Sequence, residues 1–490
     1  MRFRNKLFFI AIVALGFASC KKWDDHIEVA NQDLSQNLSQ AIAANSNLST
    51  FSSYIKQAGV DTILQSSKTF TVWAPTNAAL QGLDPAIVND KAKLRSFVLN
   101  HISNQSYFTR DLQTTIRIAM LSGKYNNAGG GKFEDANITS SDKFVSNGVL
   151  HTIDKAVLVL PNLWEFISST ASQYAQNAYL ASLNYTDFDP TLAIVDSISA
   201  TTGLPVYKPG TGFVVKNKFN DRVFDLRRED KQYTYFVIAD ANFKVEADSL
   251  LKYYATGNNT STDSLAKWFT TRDLVVEGLY PAAALNNLVS KYGVAIPVSA
   301  ANITQTIKVS NGLVHVVSKL DIPTVSKFKE IKIEGENPSG FSRDDKRGNT
   351  NYRIKLDSLG QVFSDLMVSG HAVTGFYAYY RLSEIPSIKY KMYVRGVNDF
   401  QTAAFPQRLE TYLYSPPSTY TQLASFVHNV PLSSTGASAY NEVYLGDVTV
   451  TNFGTLEIRL VAQNTPSGTA APVAGTNPIV LDYIRLVPQP

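Results

Sequence analysis

The side chains able to do chemistry are few and dispersed. Six histidines (His26, His101, His151, His315, His371 and His428) include no pair at metal-ligand spacing. His151 and His315 fall on apolar strand faces, where a hydrogen-bonded core histidine is the expectation. The run Gly129-Gly130-Gly131-Lys132 lacks the spacing of a phosphate loop, and Phe133 stands where a Ser or Thr would hold magnesium; it reads as a flexible hairpin tip. Asp344-Asp345-Lys346-Arg347-Gly348-Asn349 offers oxygen ligands of the kind calcium takes, but in no known calcium-loop pattern, and reads as a solvated turn. No nucleophile elbow or zinc-protease helix motif is present. Paired carboxylates for glycoside hydrolysis are not marked by any motif, so a hidden hydrolase is the third-ranked reading. The expectation is a non-enzyme without cofactor or metal.

Binding chemistry is better represented. Tyr412, Tyr414 and Tyr420 flank the Ser415-Pro416-Pro417-Ser418 turn, and Tyr377, Tyr379, Tyr380, Tyr390 and Tyr393 crowd the same region. Exposed rings can stack on the apolar faces of sugars, whereas rings packed between sheets keep only their hydroxyls at the rim. Tyr412, Tyr414 and Tyr420 are the candidate ligand contacts. With 45 Lys plus Arg, the chain loses three in Arg2, Arg4 and Lys6 if its start is removed, leaving 42 against 41 Asp plus Glu. That near-neutrality, without a basic cluster interleaved with aromatics, argues against nucleic acid as a partner.

The only cysteine is Cys20. Ahead of it lie a basic start, an apolar run from Leu7 to Phe17, and the small residues Ala18 and Ser19, the layout of a secretory signal. About 13 apolar residues are short of the roughly 20 that cross a bilayer. With no second cysteine to pair, Cys20 reads as a site of lipid attachment. The segment resembles a bacterial lipoprotein signal, and Lys21-Lys22-Trp23-Asp24-Asp25 resembles the surface-export signal of lipoproteins in Bacteroidota-type bacteria. The resemblance implies an outer-membrane protein anchored through lipid on Cys20 and facing the exterior.

Beyond the anchor the chain repeats itself. Phe70-Thr-Val-Trp-Ala-Pro-Thr-Asn77 and Ser146-Asn147-Gly148-Val-Leu-His151 recur as Tyr235-Phe-Val-Ile-Ala-Asp-Ala-Asn242 and Ser310-Asn311-Gly312-Leu-Val-His315. Asn77 and Asn147 are 70 positions apart, Asn242 and Asn311 69, and the period of about 165 indicates tandem domains rather than a solenoid. These motifs resemble the fasciclin domain, the adhesion-associated module known as FAS1. The family's Tyr-His segment corresponds to Leu94–Leu112, with Asn100-His101, in the first copy and to Leu274–Tyr280 in the second. The resemblance marks Asn77, Asn147, Gly148, His151, Asn242, Asn311, Gly312 and His315 as motif positions.

Local patterns place these residues on elements. Phe70–Ala74 is a β-branched and aromatic run ended by Pro75, so a strand stops there, and Thr76 or Asn77 is expected to cap a helix over Ala78–Leu83. Leu48, Phe51, Ile55 and Val60 fall near helical spacing. Asn147-Gly148 and Asn311-Gly312 signal hairpins through tolerance of positive φ. From about Lys327, eight short strands separated by turns (328–334, 352–356, 375–382, 388–395, 409–415, 442–451, 455–462 and 479–487) read as a β-sandwich or jelly roll. Ile479–Pro488 resembles the last strand of galactose-binding-like and carbohydrate-binding modules. The architecture expected is therefore multidomain: signal 1–19, tether 20–34, α+β fasciclin-like domains at 35–162 and 163–323 (the second with an insertion near Tyr185–Asp230), and an all-β sandwich at 324–490. The function expected is adhesion or capture of a polysaccharide or surface protein. The alternative is a structural accessory subunit of an outer-membrane polysaccharide-uptake complex, without glycan affinity of its own.

Overall fold

The computed structural model describes residues 32–463 and 477–490. Cys20, the signal and most of the tether lie outside them. Asn37 opens the first unit by capping the helix Leu38–Ala44 in a reciprocal box with Gln40. The helix Ser49–Gln57 turns Phe51 and Ile55 inward, with Leu48 and Val60 buried at its flanks. Phe70–Pro75 is buried at every position and runs parallel to Gly148–Ile153, Phe70 opposite Gly148 and Pro75 opposite Ile153. Ala136–Val145 pairs antiparallel on the other side of Gly148–Ile153, and the sheet continues through Lys132–Phe133 and Tyr125–Gly129 to Ile116–Ala119. Because side chains alternate across a strand, Val72 enters the core beneath the helices with Phe51 and Phe97, while Trp73 enters a second core with Phe133 and Ile153. A sheet covered on both faces explains why Phe70–Pro75 is buried throughout rather than at alternate positions.

The helix expected over Ala78–Leu83 is a run of turns instead. Thr76 Oγ1 does accept from the N–H of Ala79 at 3.1 Å, but Gly82 and the restart at Pro85, capped by Asp84, leave no room for propagation.

The second unit repeats this scheme. Tyr233–Ile238 runs parallel to Gly312–Val317, with Tyr233 opposite Gly312, and Ile303–Val309 lies antiparallel beyond it. Tyr233 is thus the counterpart of Phe70, so the two copies align two residues away from the register read in the sequence. The insertion forms an arm of two antiparallel strand pairs, one nested in sequence within the other: Asn184–Phe188 with Phe213–Asn217, and Val195–Ile198 with Pro205–Tyr207. It carries apolar side chains into solvent, among them Leu192, Ile198, Leu204, Phe213 and Val215.

Among the described residues the regular elements of the C-terminal region are strands and short 3-10 turns. A five-stranded sheet orders Gly340–Phe341, Tyr377–Ile385, Gly454–Ala462, Phe405–Ser415 and Thr419–Val430; a four-stranded sheet orders Ile331–Glu334, Tyr483–Gln489, Lys389–Arg395 and Val443–Thr449. Thr350–Leu356, Val362–Val368 and Ile479–Leu481 form a third. The strand expected over 479–487 is broken at Asp482, whose carboxyl is raised to about 7, chiefly by burial. Val362–Val368 and Thr419–Val430 carry mixed polarity and escaped the sequence reading. Inward residues such as Leu409, Ile458, Met392 and Ile484 join the same buried cluster as Phe236 and Phe269 of the second unit, so one core crosses position 324. The first unit meets the second through charge instead: Lys124 reaches Glu165 at 2.8 Å and Glu229 at 2.7 Å.

Candidate functional site

The repeated motif residues hold the two units together. Asn147 Oδ1 accepts the N–H of Leu38, the first residue of its helix, at 2.8 Å, while Nδ2 donates to the carbonyls of Leu64 and Ser66. Asn311 repeats all three contacts on Leu163, Leu226 and Arg228. The asparagine is kept as a clamp tying a helix start and a loop to the hairpin, not for its own backbone angle. Gly148 has φ +147, and a Cβ there would lie 1.8 Å from the Phe70 carbonyl oxygen. Gly312 has no positive φ, yet its Cβ would meet the Tyr233 oxygen at 2.2 Å. Close approach of the parallel strand, rather than the turn type inferred from Asn-Gly, is the shared requirement.

Asn77 reaches back to the helix at Ser49, accepting from Thr50 N–H and donating to Ser46 O and Ser49 Oγ. In the second unit Asp240 takes this place, accepting from Ala175 N–H at a helix start, whereas Asn242 donates to Ser318 O. The structure therefore puts Asp240, not Asn242, opposite Asn77. His151 donates from Nε2 to Tyr107 O, accepts from Asp142 N–H at Nδ1 and stacks on Trp73. His315 donates to Tyr280 O, takes the Thr306 hydroxyl and stacks on Phe236. Both rings spend both nitrogens inside the protein. His101 does likewise, donating to Phe97 O and accepting from Val157 N–H; burial pushes its pKa down to about 4, so it is neutral. Among the described residues no group of three His, Cys, Asp or Glu is placed to hold a metal ion.

The tyrosines are arranged differently. Tyr414 pairs with Tyr420 across neighbouring strands, their ring centroids 5.0 Å apart, and Tyr412 meets Tyr420 edge-on at 6.1 Å. All three stand on the outward face of the five-stranded sheet. Two arginines fill the spaces between rings. Arg459 lies over Tyr412 at 4.3 Å, Tyr420 at 4.5 Å and Tyr377 at 4.8 Å; Arg381 lies over Tyr414 at 4.4 Å and Tyr379 at 4.9 Å. Between them Glu457, 1% exposed, takes Arg381 on one oxygen and Arg459 on the other, both at 2.7 Å. Burial and a hydrogen bond to Glu410 raise the Tyr412 hydroxyl to about 12. The result is a polar-edged aromatic cluster whose rings are held in place by guanidinium groups, with Tyr420 36% exposed at its rim. It offers π faces together with guanidinium N–H and phenolic O–H groups.

Arg381, Glu457 and Arg459 were not singled out in the sequence. Their signal is period-two alternation: Tyr377, Tyr379 and Arg381 fall on one face of their strand, and Leu456-Glu457-Ile458-Arg459-Leu460 sets two charges into an apolar run.

Comparison with known proteins bears on the first unit. The family model of the fasciclin domain matches residues 46–159. This unit is a fasciclin domain, an adhesion-related module typically found outside the cell. A rabbit (Oryctolagus cuniculus) protein, "Transforming growth factor-beta-induced protein ig-h3", is 25% identical over 178 residues, covering 33% of this chain and 26% of its own. "Protein sll1483" of Synechocystis is 28% identical over 142 residues, covering 27% of this chain and 78% of its own. The chain thus spans about a quarter of the rabbit protein's length. Among solved structures, a FAS1 domain pair of the insect cell adhesion molecule fasciclin I covers 58% of this chain and 99% of its own, at 15% identity and a TM-score of 0.22. A family 35 carbohydrate binding module from Clostridium thermocellum covers 32% and 98%, at 14% identity and a TM-score of 0.20. Among the described residues no helix is long and apolar enough to cross a membrane.

Proposed function

We propose that the chain is a non-enzymatic, surface-displayed binding protein, lipid-anchored through Cys20 in the outer membrane, that captures glycan on the tyrosine–arginine platform of its C-terminal sandwich. Two tandem fasciclin-like units carry that platform away from the anchor. The observation that supports capture is the gathering of Tyr412, Tyr414 and Tyr420 with Arg381 and Arg459 on one outward face. Rings already immobilised by stacked guanidiniums lose little further entropy when a sugar ring lies on them. The polar rim supplies hydrogen bonds for sugar hydroxyls. A glycan array probed with the full chain tests this. Binding should be lost in Tyr412→Ala/Tyr420→Ala, and a pattern unchanged by both substitutions refutes the assignment. Replacing Cys20 by Ala should release the protein from the membrane fraction; unchanged partitioning refutes the anchor.

A second reading is favoured by the arm between Asn184 and Asn217. Its exposed apolar side chains have the character of a protein interface, as an accessory subunit of an uptake complex would need. Stoichiometric co-purification after mild detergent extraction, abolished by replacing Leu192, Ile198, Leu204 and Phe213 with serine, would support it. A partner retained by that variant would refute docking through the arm.

A further inference from the structure

A cleft of about 300 Å³ lies where the second unit meets the sandwich. Tyr254, Arg272, Tyr292, Lys329, Glu384 and Tyr390 are among its walls. Arg272 is held between two rings, its guanidinium carbon 4.1 Å from the centre of Phe269 and 4.2 Å from that of Tyr292. Phe269 is itself stacked on Tyr254 at 3.8 Å, and Tyr292 is fixed by a hydrogen bond from its hydroxyl to Arg222 O. The plane of this guanidinium is therefore set by packing.

Charge in the cleft is not balanced. Lys327 is paired with Asp273 at 2.6 Å, and Glu384 is paired with Arg222. Among the described residues the Arg272 side chain has neither ion pair nor hydrogen bond, and its Nε is sealed from solvent without an acceptor. The Nη groups are the end left to meet a ligand. The hydroxyls of Tyr254 and Tyr390 also have no protein partner among the described residues, although both rings are 1% exposed. Sealing the Arg272 Nε without an acceptor is costly, and a ligand that supplied acceptors to the rest of the guanidinium would offset part of that cost. Glu384 adds a further mark: it is a non-glycine residue at φ +60, a conformation that non-glycine residues seldom hold without support from their surroundings.

We infer that this cleft binds a small hydroxy-carboxylate, its carboxylate on the Nη groups of Arg272 and its hydroxyls on Tyr254 and Tyr390. A planar anion matches a planar, pre-oriented guanidinium. The volume is at the small end of the range for ligand pockets and admits one sugar acid or a similar compact acid, not a polymer segment. The site shares no residue with the tyrosine platform, so either can fail alone.

Thermal denaturation of the full chain, titrated with glucuronate, glucose, acetate or an acidic peptide, tests the inference. Glucuronate should raise Tm saturably and the other three should not, because only glucuronate combines carboxylate and hydroxyls in a compact body. Arg272→Gln should abolish the shift. If that variant does not fold, Tyr254→Phe, which removes one oxygen, should weaken glucuronate binding several-fold. An equal response to glucose, acetate or peptide overturns the inference, as does a glucuronate response that survives in Arg272→Gln or an affinity unchanged in Tyr254→Phe.

Discussion

Asp273→Asn should uncouple the second unit from the sandwich energetically. Asp273 occupies the position that Asn100 holds in the first unit: Ser122 donates to Asn100 Oδ1 at 2.9 Å, and Ser290 donates to Asp273 Oδ1 at 2.7 Å. The second carboxylate oxygen is what differs. It takes Lys327 at 2.6 Å, with the lysine and aspartate side chains 4% and 0% exposed, and the ammonium also donates to Phe269 O at 2.9 Å. An amide fits the aspartate's space and keeps the serine contact, but it leaves a buried ammonium with a single carbonyl partner. Breaking a buried pair from one side costs about 3–5 kcal/mol. The loss should appear as a fall in the urea midpoint of one transition covering both regions, since their core is continuous. Asp273→Asn/Lys327→Met should recover most of it. Burial lowers the Lys327 pKa below its ordinary value while Asp273 raises it. A lysine depressed in the folded state weighs on stability below its folded pKa, and that weight lifts as pH climbs toward 10.5. Removing the carboxylate deepens the depression, so the deficit of the single variant should shrink in alkaline urea titrations. A loss under about 1 kcal/mol, or a double variant no better than the single, would refute the assignment of the pair as the pin between the two regions.

Three further outcomes follow from the geometry. Asn147→Ala strips three hydrogen bonds and leaves Leu38 N–H and Leu64 O buried without them, a loss of about 2–4 kcal/mol in denaturant titration; a loss within about 0.5 kcal/mol would disprove the clamp. Gly312→Ala, with no positive φ to blame, should still destabilise because its Cβ meets Tyr233 O at 2.2 Å, and wild-type stability would show that the parallel strands can part freely. His101 and His428 are both pushed down to about 4 by burial. Groups with depressed basic pKa values favour the unfolded chain as pH falls below about 6.5, so each should cost roughly 2 kcal/mol at pH 5 relative to pH 8; stability flat across that range would contradict their burial as neutral rings.

Much of the fold was legible because local patterns and tertiary roles coincide. Phe51 and Ile55 point inward from a helix as their spacing requires, and Lys389–Arg395 alternates between buried and more accessible positions as a half-covered strand should. The Asn-Gly pairs announced their hairpins correctly but for an incomplete reason, since the asparagine side chain and the glycine's missing Cβ serve neighbours more than 75 positions away. The same distance hid the true alignment of the repeats. Matching letters put Asn242 beside Asn77, whereas register puts Asp240 there, because an aspartate can accept the helix N–H as well as an amide does.

By itself the sequence determined the order of elements, the presence of a repeat, the first fasciclin domain and the scarcity of histidine and cysteine; each is a property of neighbours along the chain or of composition. Only the tertiary structure decided which charged groups stand among the tyrosines, that Lys327 is buried against Asp273, and that Arg272 is clamped yet unpaired. Those facts depend on strand register and on the meeting of two cores. A one-residue slip in register sends every side chain to the opposite face, and nothing in a local pattern records which distant strand lies alongside.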